Sequence, residues 1–176
     1  SLLDDKPIVV VAVYSDRNTK TGHVVQTYIL CKDINPMEAS KTGEDFSICG
    51  SCIMRGEATT DPKRKLAKGR RCYVKLFQGP LIVWKSYKAG RYQPGNATDM
   101  GRGRFVRLGT YGDPAAVPQY VWNNLLKEAL TWTAYTHQPG EMSEICMQSA
   151  DTYQEAKEHW AAGRRTFRVI KDLLDL

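Results

Sequence analysis

Residues 105–137 read FVRLGTYGDPAAVPQYVWNNLLKEALTWTAYTH, and this stretch decides the fold that the sequence predicts. Phe105–Leu108 is a short β-rich segment, and apolar residues of Val117–Leu130 recur at every fourth position, as on one face of a helix. Trp132–Thr136 is again rich in residues that favour strands. A strand, a helix and a second strand in this order indicate a crossover between parallel strands.

The same alternation continues towards the C-terminus. Ile145–Met147 is predicted to be a strand, and Asp151 begins a capped helix that Gly163 ends. Arg165–Ile170 is predicted to be the last strand. The order strand, helix, strand, strand, helix, strand predicts an α/β fold, with a mainly parallel sheet and helical crossovers. A chain of 176 residues supports one hydrophobic core, so we expect a single domain.

The N-terminal part has a different pattern. The β-branched segment Pro7–Tyr14 and the segment Val24–Cys31 are predicted to form a hairpin with a long connection. Met37–Thr42 is expected to form a short helix, Cys72–Phe77 a strand and Leu81–Ala89 a helix. The single domain is thus divided into N-terminal strands with a short helix (1–46), a basic loop with cysteines (47–73) and β/α units (74–176).

Three of the five cysteines lie in the loop at 47–73. Cys49 and Cys52 form a Cys-x-x-Cys turn, and Cys72 follows after nineteen intervening residues. Such a turn aims two sulfurs at one point, so with a third thiolate it predicts a zinc or iron–sulfur site. Ordinary reduced thiols and a disulfide remain alternatives. Cys31 and Cys146 lie in predicted strands, and we expect them to be buried core thiols.

Polar residues follow successive predicted strands. Asp113 and His137 come after the strands at 105–108 and 132–136, and Asp151 follows the next strand. Because ligands of parallel sheets bind beyond the carboxyl ends of the strands, we predict these three as catalytic residues. Tyr111 and Gln138 are predicted to contact the substrate. The alternative roles are structural: a turn residue for Asp113, a helix cap for Asp151 and a hydrogen-bonded loop residue for His137.

The net charge of +6 favours an anionic partner, namely nucleic acid or a nucleotide. Basic residues are concentrated in the cysteine loop and in a second group around position 104. A solvated loop is the alternative interpretation of such a run. The basic residues that we predict to bind substrate are Lys63, Arg64, Lys65, Arg70, Arg71, Arg104 and Arg107.

The sequence also indicates the cellular compartment of the protein. Its longest apolar run, Ile8–Tyr14, is far shorter than the roughly 18 residues of a membrane span, so no membrane partner is expected. An odd number of cysteines in a chain of this size favours a reducing compartment. We therefore expect a cytoplasmic protein.

Several motifs resemble those of a group of uncharacterised phage and prophage proteins. They are Asn18–Gly22, Ile48–Cys52, Arg71–Tyr73, Val106–Pro114 and Ala134–His137. The resemblance implies a phage or mobile-element protein in the cytoplasm of a host cell, with a host protein complex as a possible partner. It also implies further cysteines beyond the last residue of this sequence.

More distantly, the motifs resemble radical-SAM β/α barrels, in which three cysteines hold an iron–sulfur cluster at the barrel mouth. The resemblance implies S-adenosylmethionine as a cofactor and a partial or contracted barrel, because a full barrel needs about 200 residues or more. The spacing here, Cys49-x2-Cys52-x19-Cys72, departs from the Cys-x3-Cys-x2-Cys spacing of that family. A Gly-Gly-Glu-like element for the methionine end of the cofactor is missing from the sequence.

Two functional hypotheses follow. In the first, an enzyme-like β/α protein holds a metal beside a pocket and acts on nucleic acid or a nucleotide-like substrate, with Asp113 or His137 as acid or base. In the second, a basic protein without catalysis contacts nucleic acid or a host defence complex, and the cysteines only hold the basic loop.

Overall fold

The computed structural model describes residues 1–14, 22–139 and 142–170. Within these ranges the chain forms strands and helices that alternate over most of its C-terminal half. The strands are β1 (Ile8–Val13), β2 (Val24–Cys31), β3 (Phe105–Tyr111), β4 (Thr131–Thr133), β5 (Tyr135–Thr136), β6 (Met147–Ala150) and β7 (Thr166–Arg168). The α-helices are α1 (Pro36–Thr42), α2 (Phe46–Cys49), α3 (Gly79–Lys88), α4 (Ala97–Gly101), α5 (Gln119–Leu126) and α6 (Tyr153–Ala161).

The strands form two sheets in which most neighbours are parallel. The first sheet has the order β1-β2-β3-β4, and only its β1–β2 pair is antiparallel. The second sheet, β5-β6-β7, is parallel throughout. The predicted α/β fold with a mainly parallel sheet is therefore confirmed. Within the described residues the two sheets are open at their edge strands β1, β4, β5 and β7, so the likeness to a barrel is limited to the succession of parallel strands.

The register separates the two faces of the first sheet. Val25 pairs with Val106, and both side chains are almost fully buried. They belong to a core cluster that also contains Trp122 and Leu125 of α5. Arg107 lies one residue further along β3 and pairs with Thr133, so these two side chains project to the other face.

Local sequence signals explain the helices that were predicted correctly. The Asn35 side chain accepts hydrogen bonds from the backbone nitrogens of Met37 and Glu38, at 3.0 and 3.1 Å, and Pro36 is the first residue of α1. Helix α3 also lies where the sequence placed it. Helix α5 is shorter than the predicted 117–130: it ends at Leu126, and Val117 and Pro118 before it are extended, because a residue that precedes proline disfavours the helical conformation.

Three predictions of local structure are wrong. Cys72–Phe77 is not a strand, because the Arg70 guanidinium occupies the carbonyls of Cys72 and Val74, each at 2.9 Å. The strand predicted at Ile145–Met147 begins only at Met147, because the preceding backbone forms a turn. Asp151 does not cap α6: Thr152 is the N-cap and forms a capping box with Glu155.

Helices α2 and α4 lie in segments that read as loops in the sequence. Gly101, at the end of α4, packs so closely on α5 that a Cβ atom there would lie 1.9 Å from the Leu125 carbonyl oxygen. Only glycine permits this approach. The described part of the chain contains no helix that is both long enough and apolar enough to cross a membrane.

Candidate functional site

A cavity of about 190 Å³ lies beyond the carboxyl ends of four parallel strands, and we call it the strand-end cavity. The residues at the ends of β3, β5, β6 and β7 line one side of it, as the topology of parallel sheets leads us to expect. Residues of the cysteine loop also line it. The strand-end lining residues include Tyr111, Gly112, Asp113, Tyr135, His137, Ser149, Asp151, Phe167 and Val169.

All three cysteines of the loop line this cavity. Cys49 is the last residue of α2, and Cys52 precedes a 3₁₀ turn at Ile53–Arg55. Cys72 lies in the segment that the Arg70 guanidinium holds, and its backbone nitrogen donates to the Met54 carbonyl oxygen at 2.9 Å. The structure thus brings together thiols that are up to twenty-three positions apart in the sequence.

Gln138 holds the Cys-x-x-Cys turn against the end of β5. Its amide nitrogen donates to the Cys49 carbonyl oxygen at 3.2 Å, and its amide oxygen accepts from the Ser51 hydroxyl at 3.3 Å. Gly50 has a φ of 54°, and a Cβ there would lie 2.5 Å from the Gln138 amide. Gln138 was predicted to bind substrate. It is buried, and these contacts are with the turn.

Two of the thiols that line the cavity, Cys49 and Cys52, lie in surroundings that disfavour their charged form. Burial raises the pKa of Cys49 well above its usual value, and Asp45 adds to this effect. Burial likewise raises the pKa of Cys52 to about 11, with smaller contributions from Cys72 and Asp113. The free thiols of Cys49 and Cys52 are therefore protonated near neutral pH unless a cation binds.

The chemistry of the three sulfurs matches zinc and iron–sulfur centres. All five cysteines are free thiols, so the structure contains no disulfide among them. Within residues 1–14, 22–139 and 142–170, no three Cys, His, Asp or Glu side chains lie close enough together to hold a metal ion. A metal at this site would therefore require the sulfurs to converge. Cys31 and Cys146 are buried in the core, as the sequence predicted.

Asp113 connects three elements at one end of the cavity. Its carboxylate accepts from the Ala115 backbone nitrogen at 3.0 Å, the Thr136 hydroxyl at 2.6 Å and the His137 backbone nitrogen at 2.8 Å. Its own backbone nitrogen donates to the Ile48 carbonyl oxygen at 2.6 Å. Both carboxylate oxygens are thus occupied. This geometry gives the predicted catalytic Asp113 the role of positioning His137 and the ends of α2 and β5.

His137 and Asp151 are the predicted catalytic residues with the freest access to the cavity. Their side chains are 25% and 26% exposed, and His137 Nε2 lies 3.9 Å from Asp151 Oδ1. An imidazole beside a carboxylate is a common acid–base pair in enzymes. The arrangement can therefore perform acid–base chemistry on a molecule in the cavity.

The predicted basic residues are divided by the structure. Arg70 and Arg71 line the cavity, whereas Lys63, Arg64 and Lys65 are exposed and lie outside its lining. Arg104 is also outside the lining: its guanidinium stacks on Tyr14 at 4.5 Å and donates to the Met100 carbonyl oxygen. Arg107 lines a neighbouring groove instead.

The groove adjoins the strand-end cavity. Three residues line the groove but not the cavity, namely Val24, Arg107 and Thr133. Three others line both spaces, namely Tyr73, Tyr135 and Phe167. Tyr135 stacks on Phe167 with ring centroids 4.5 Å apart. The hydroxyls of Tyr73 and Tyr135 are in contact, and Arg107 Nη2 donates to them at 3.0 and 2.9 Å.

Several residues of the cavity were not predicted from the sequence. They include Asp45, Tyr73, Tyr135 and Phe167. Tyr135 lies two positions before the predicted His137, and Phe167 two positions before Val169; alternate residues of a strand face the same side, so this spacing could have found Tyr135. The predicted Tyr111 does line the cavity, and its buried hydroxyl has no hydrogen-bond partner in the described part of the chain.

Comparison with known proteins found no matching family model, no matching curated protein and no matching solved structure. The resemblance to phage proteins and to radical-SAM barrels therefore stays an expectation. The function has to be inferred from the geometry of the site.

Proposed function

We propose that this chain binds a metal centre through Cys49, Cys52 and Cys72 and acts on a small nucleotide-like molecule in the strand-end cavity. One observation carries the proposal: the three thiols line the same cavity as the His137–Asp151 pair. Parallel α/β proteins bind their ligands at this end of the sheet.

A metal would offset the cost of ionising the buried thiols. Cys49 and Cys52 flank the turn at Gly50, and Cys72 lies in a loop without regular structure. Such segments can converge on a cation, and metal binding is commonly coupled to local folding. When bound, zinc would supply a Lewis acid and an iron–sulfur cluster an electron carrier.

The cavity suits one aromatic ring system. A cavity of about 150 Å³ in another protein accepts benzene, and the volume here is about 190 Å³. Tyr135 and Phe167 provide an aromatic wall. In this arrangement His137 Nε2 takes up or releases the proton of the reacting group, and Asp151 stabilises the protonated imidazole.

Metal analysis tests the proposal. The chain purified without oxygen is expected to contain about one zinc ion or one cluster, the latter with visible absorption. Cys49→Ser, Cys52→Ser and Cys72→Ser should each lose most of the metal. Cys31→Ala and Cys146→Ala are matched controls, since these thiols lie in the core outside the cavity lining, and they should retain the metal. Equal metal content in all five variants, or none in the wild type, would contradict the proposal.

A second candidate function is nucleic-acid binding by the basic loop, which the exposure of Lys63, Arg64 and Lys65 favours. Replacing these three residues with Gln is expected to reduce the salt dependence of single-stranded binding by about 2 in slope, because each phosphate contact contributes about 0.7. Binding is measured by fluorescence anisotropy at several salt concentrations. His137→Ala should bind like the wild type. An unchanged slope in the triple variant would exclude this loop as the contact surface.

A further inference from the structure

The surroundings of Arg107 differ from those of Arg55 and Arg70, which line the strand-end cavity. Arg55 pairs with Asp45 at 2.7 Å and also donates to the Gly43 carbonyl oxygen. Arg70 donates to two backbone carbonyls. A carboxylate neutralises the charge of Arg55, and backbone carbonyls accept from both terminal nitrogens of Arg70. The contacts of Arg55 and Arg70 therefore indicate structural roles for both side chains.

Arg107 is half-buried, and its hydrogen-bond partners are two neutral phenols. Within the described ranges 1–14, 22–139 and 142–170, no carboxylate lies within ion-pair distance of its guanidinium, and its hydrogen bonds use Nη2 alone. A guanidinium offers five donors in a planar fork that matches an oxyanion. A half-buried cation with neutral partners thus retains most of its capacity for an anionic group.

The position of Arg107 indicates where such an anion would lie. Tyr73 and Tyr135 line both the strand-end cavity and the groove, so the phenol pair held by Arg107 stands at their junction. A molecule whose ring lies against Tyr135 in the cavity would extend a substituent towards this junction. Both tyrosine hydroxyls can donate to an oxyanion once they separate from each other.

We infer that Arg107, together with the hydroxyls of Tyr73 and Tyr135, binds a phosphate group of the ligand whose aromatic part occupies the strand-end cavity. This inference rests on the cavity being a ligand site, as proposed above, and is independent of the metal. It defines the substrate class as an aromatic molecule that carries a phosphate, as a nucleoside monophosphate does.

Calorimetric titration of the protein as purified, with AMP, adenosine and inorganic pyrophosphate as probes, tests this inference. AMP is expected to bind at least about tenfold more tightly than adenosine, because charge-assisted hydrogen bonds add to the affinity. Arg107→Gln should lower the affinity for AMP to that for adenosine and leave the affinity for adenosine unchanged. Arg107→Lys should keep part of the preference, since it keeps the charge but not the fork.

Arg102→Gln is the matched control. It removes the same charge from an exposed position outside both spaces, where Arg102 pairs with Asp99 and Glu128. It should bind AMP like the wild type. Thermal unfolding of each variant shows whether it is folded.

Three outcomes would overturn the inference. Equal affinity of the wild type for AMP and adenosine would show that the cavity accepts the nucleoside without a phosphate site. Equal weakening of both ligands by Arg107→Gln would assign Arg107 a structural role. In both cases the proposed cavity function stands. No binding of any of the three probes would reject both the phosphate site and the nucleotide-like substrate.

Discussion

Asp113→Ala is expected to lower the free energy of unfolding by about 4 kcal/mol. The variant leaves the backbone nitrogens of Ala115 and His137 and the hydroxyl of Thr136 without their acceptor. Asp113 is 7% exposed, so water cannot readily replace the carboxylate. Chemical denaturation monitored by circular dichroism measures the difference.

The matched comparisons separate the hydrogen bonds from the charge. Asp113→Asn keeps one acceptor oxygen, and we expect it to lose about half as much stability. Asp99→Ala removes an exposed carboxylate that pairs with Arg102, and it should cost no more than about 1 kcal/mol. If Asp113→Ala were as stable as Asp99→Ala, Asp113 would not hold the strand ends together. If Asp113→Ala does not fold, the Asn variant provides the measurement.

Metal affinity is expected to rise at least about a hundredfold per pH unit between pH 6.5 and 8. Burial raises the pKa of Cys52 to about 11 and that of Cys49 well above its usual value. Both thiols are therefore protonated in this range, and each must release one proton to bind a metal. Each proton contributes a factor of about ten per pH unit. Competition with a chromophoric zinc chelator measures the affinity.

The raised pKa values of the two thiols also predict how the stability of the metal-free chain depends on pH. A thiol whose pKa is higher in the folded than in the unfolded state stabilises the fold below the unfolded value. Stability is then expected to fall as the pH rises above about 9 towards 11, where the unfolded thiols ionise first.

Cys146→Ala should show the same pH slope of metal affinity as the wild type. An affinity that does not depend on pH would mean that Cys49 and Cys52 are not ligands.

Much of the local structure follows from short-range signals. Asn35 and Pro36 begin α1 by capping, and Gly43 ends it in a left-handed conformation. The alternation of strands and helices after residue 104 predicted a mainly parallel sheet. Parallel topology in turn predicted that Asp113, His137 and Asp151 lie at one edge, and the structure places all three in the lining of one cavity.

Strand propensity failed at Cys72–Phe77, where a side chain took the place of backbone partners. The segment has the composition of a strand, but the guanidinium of Arg70, two and four positions away, occupies the carbonyls of Cys72 and Val74. Propensity does not report such a contact. The position of Gln138 has another cause, since its contact with Cys49 joins residues 89 positions apart.

The sequence by itself therefore determined the fold class, the capping of α1, the core positions of Cys31 and Cys146 and the set of polar residues at the strand ends. These properties depend on periodicity and on neighbours within a few residues. Only the tertiary structure decided that Asp113 is saturated by hydrogen bonds, that Cys72 faces the same cavity as Cys49, and that Arg107 meets two phenols. These properties depend on strand register and on contacts between distant segments, which no local pattern encodes.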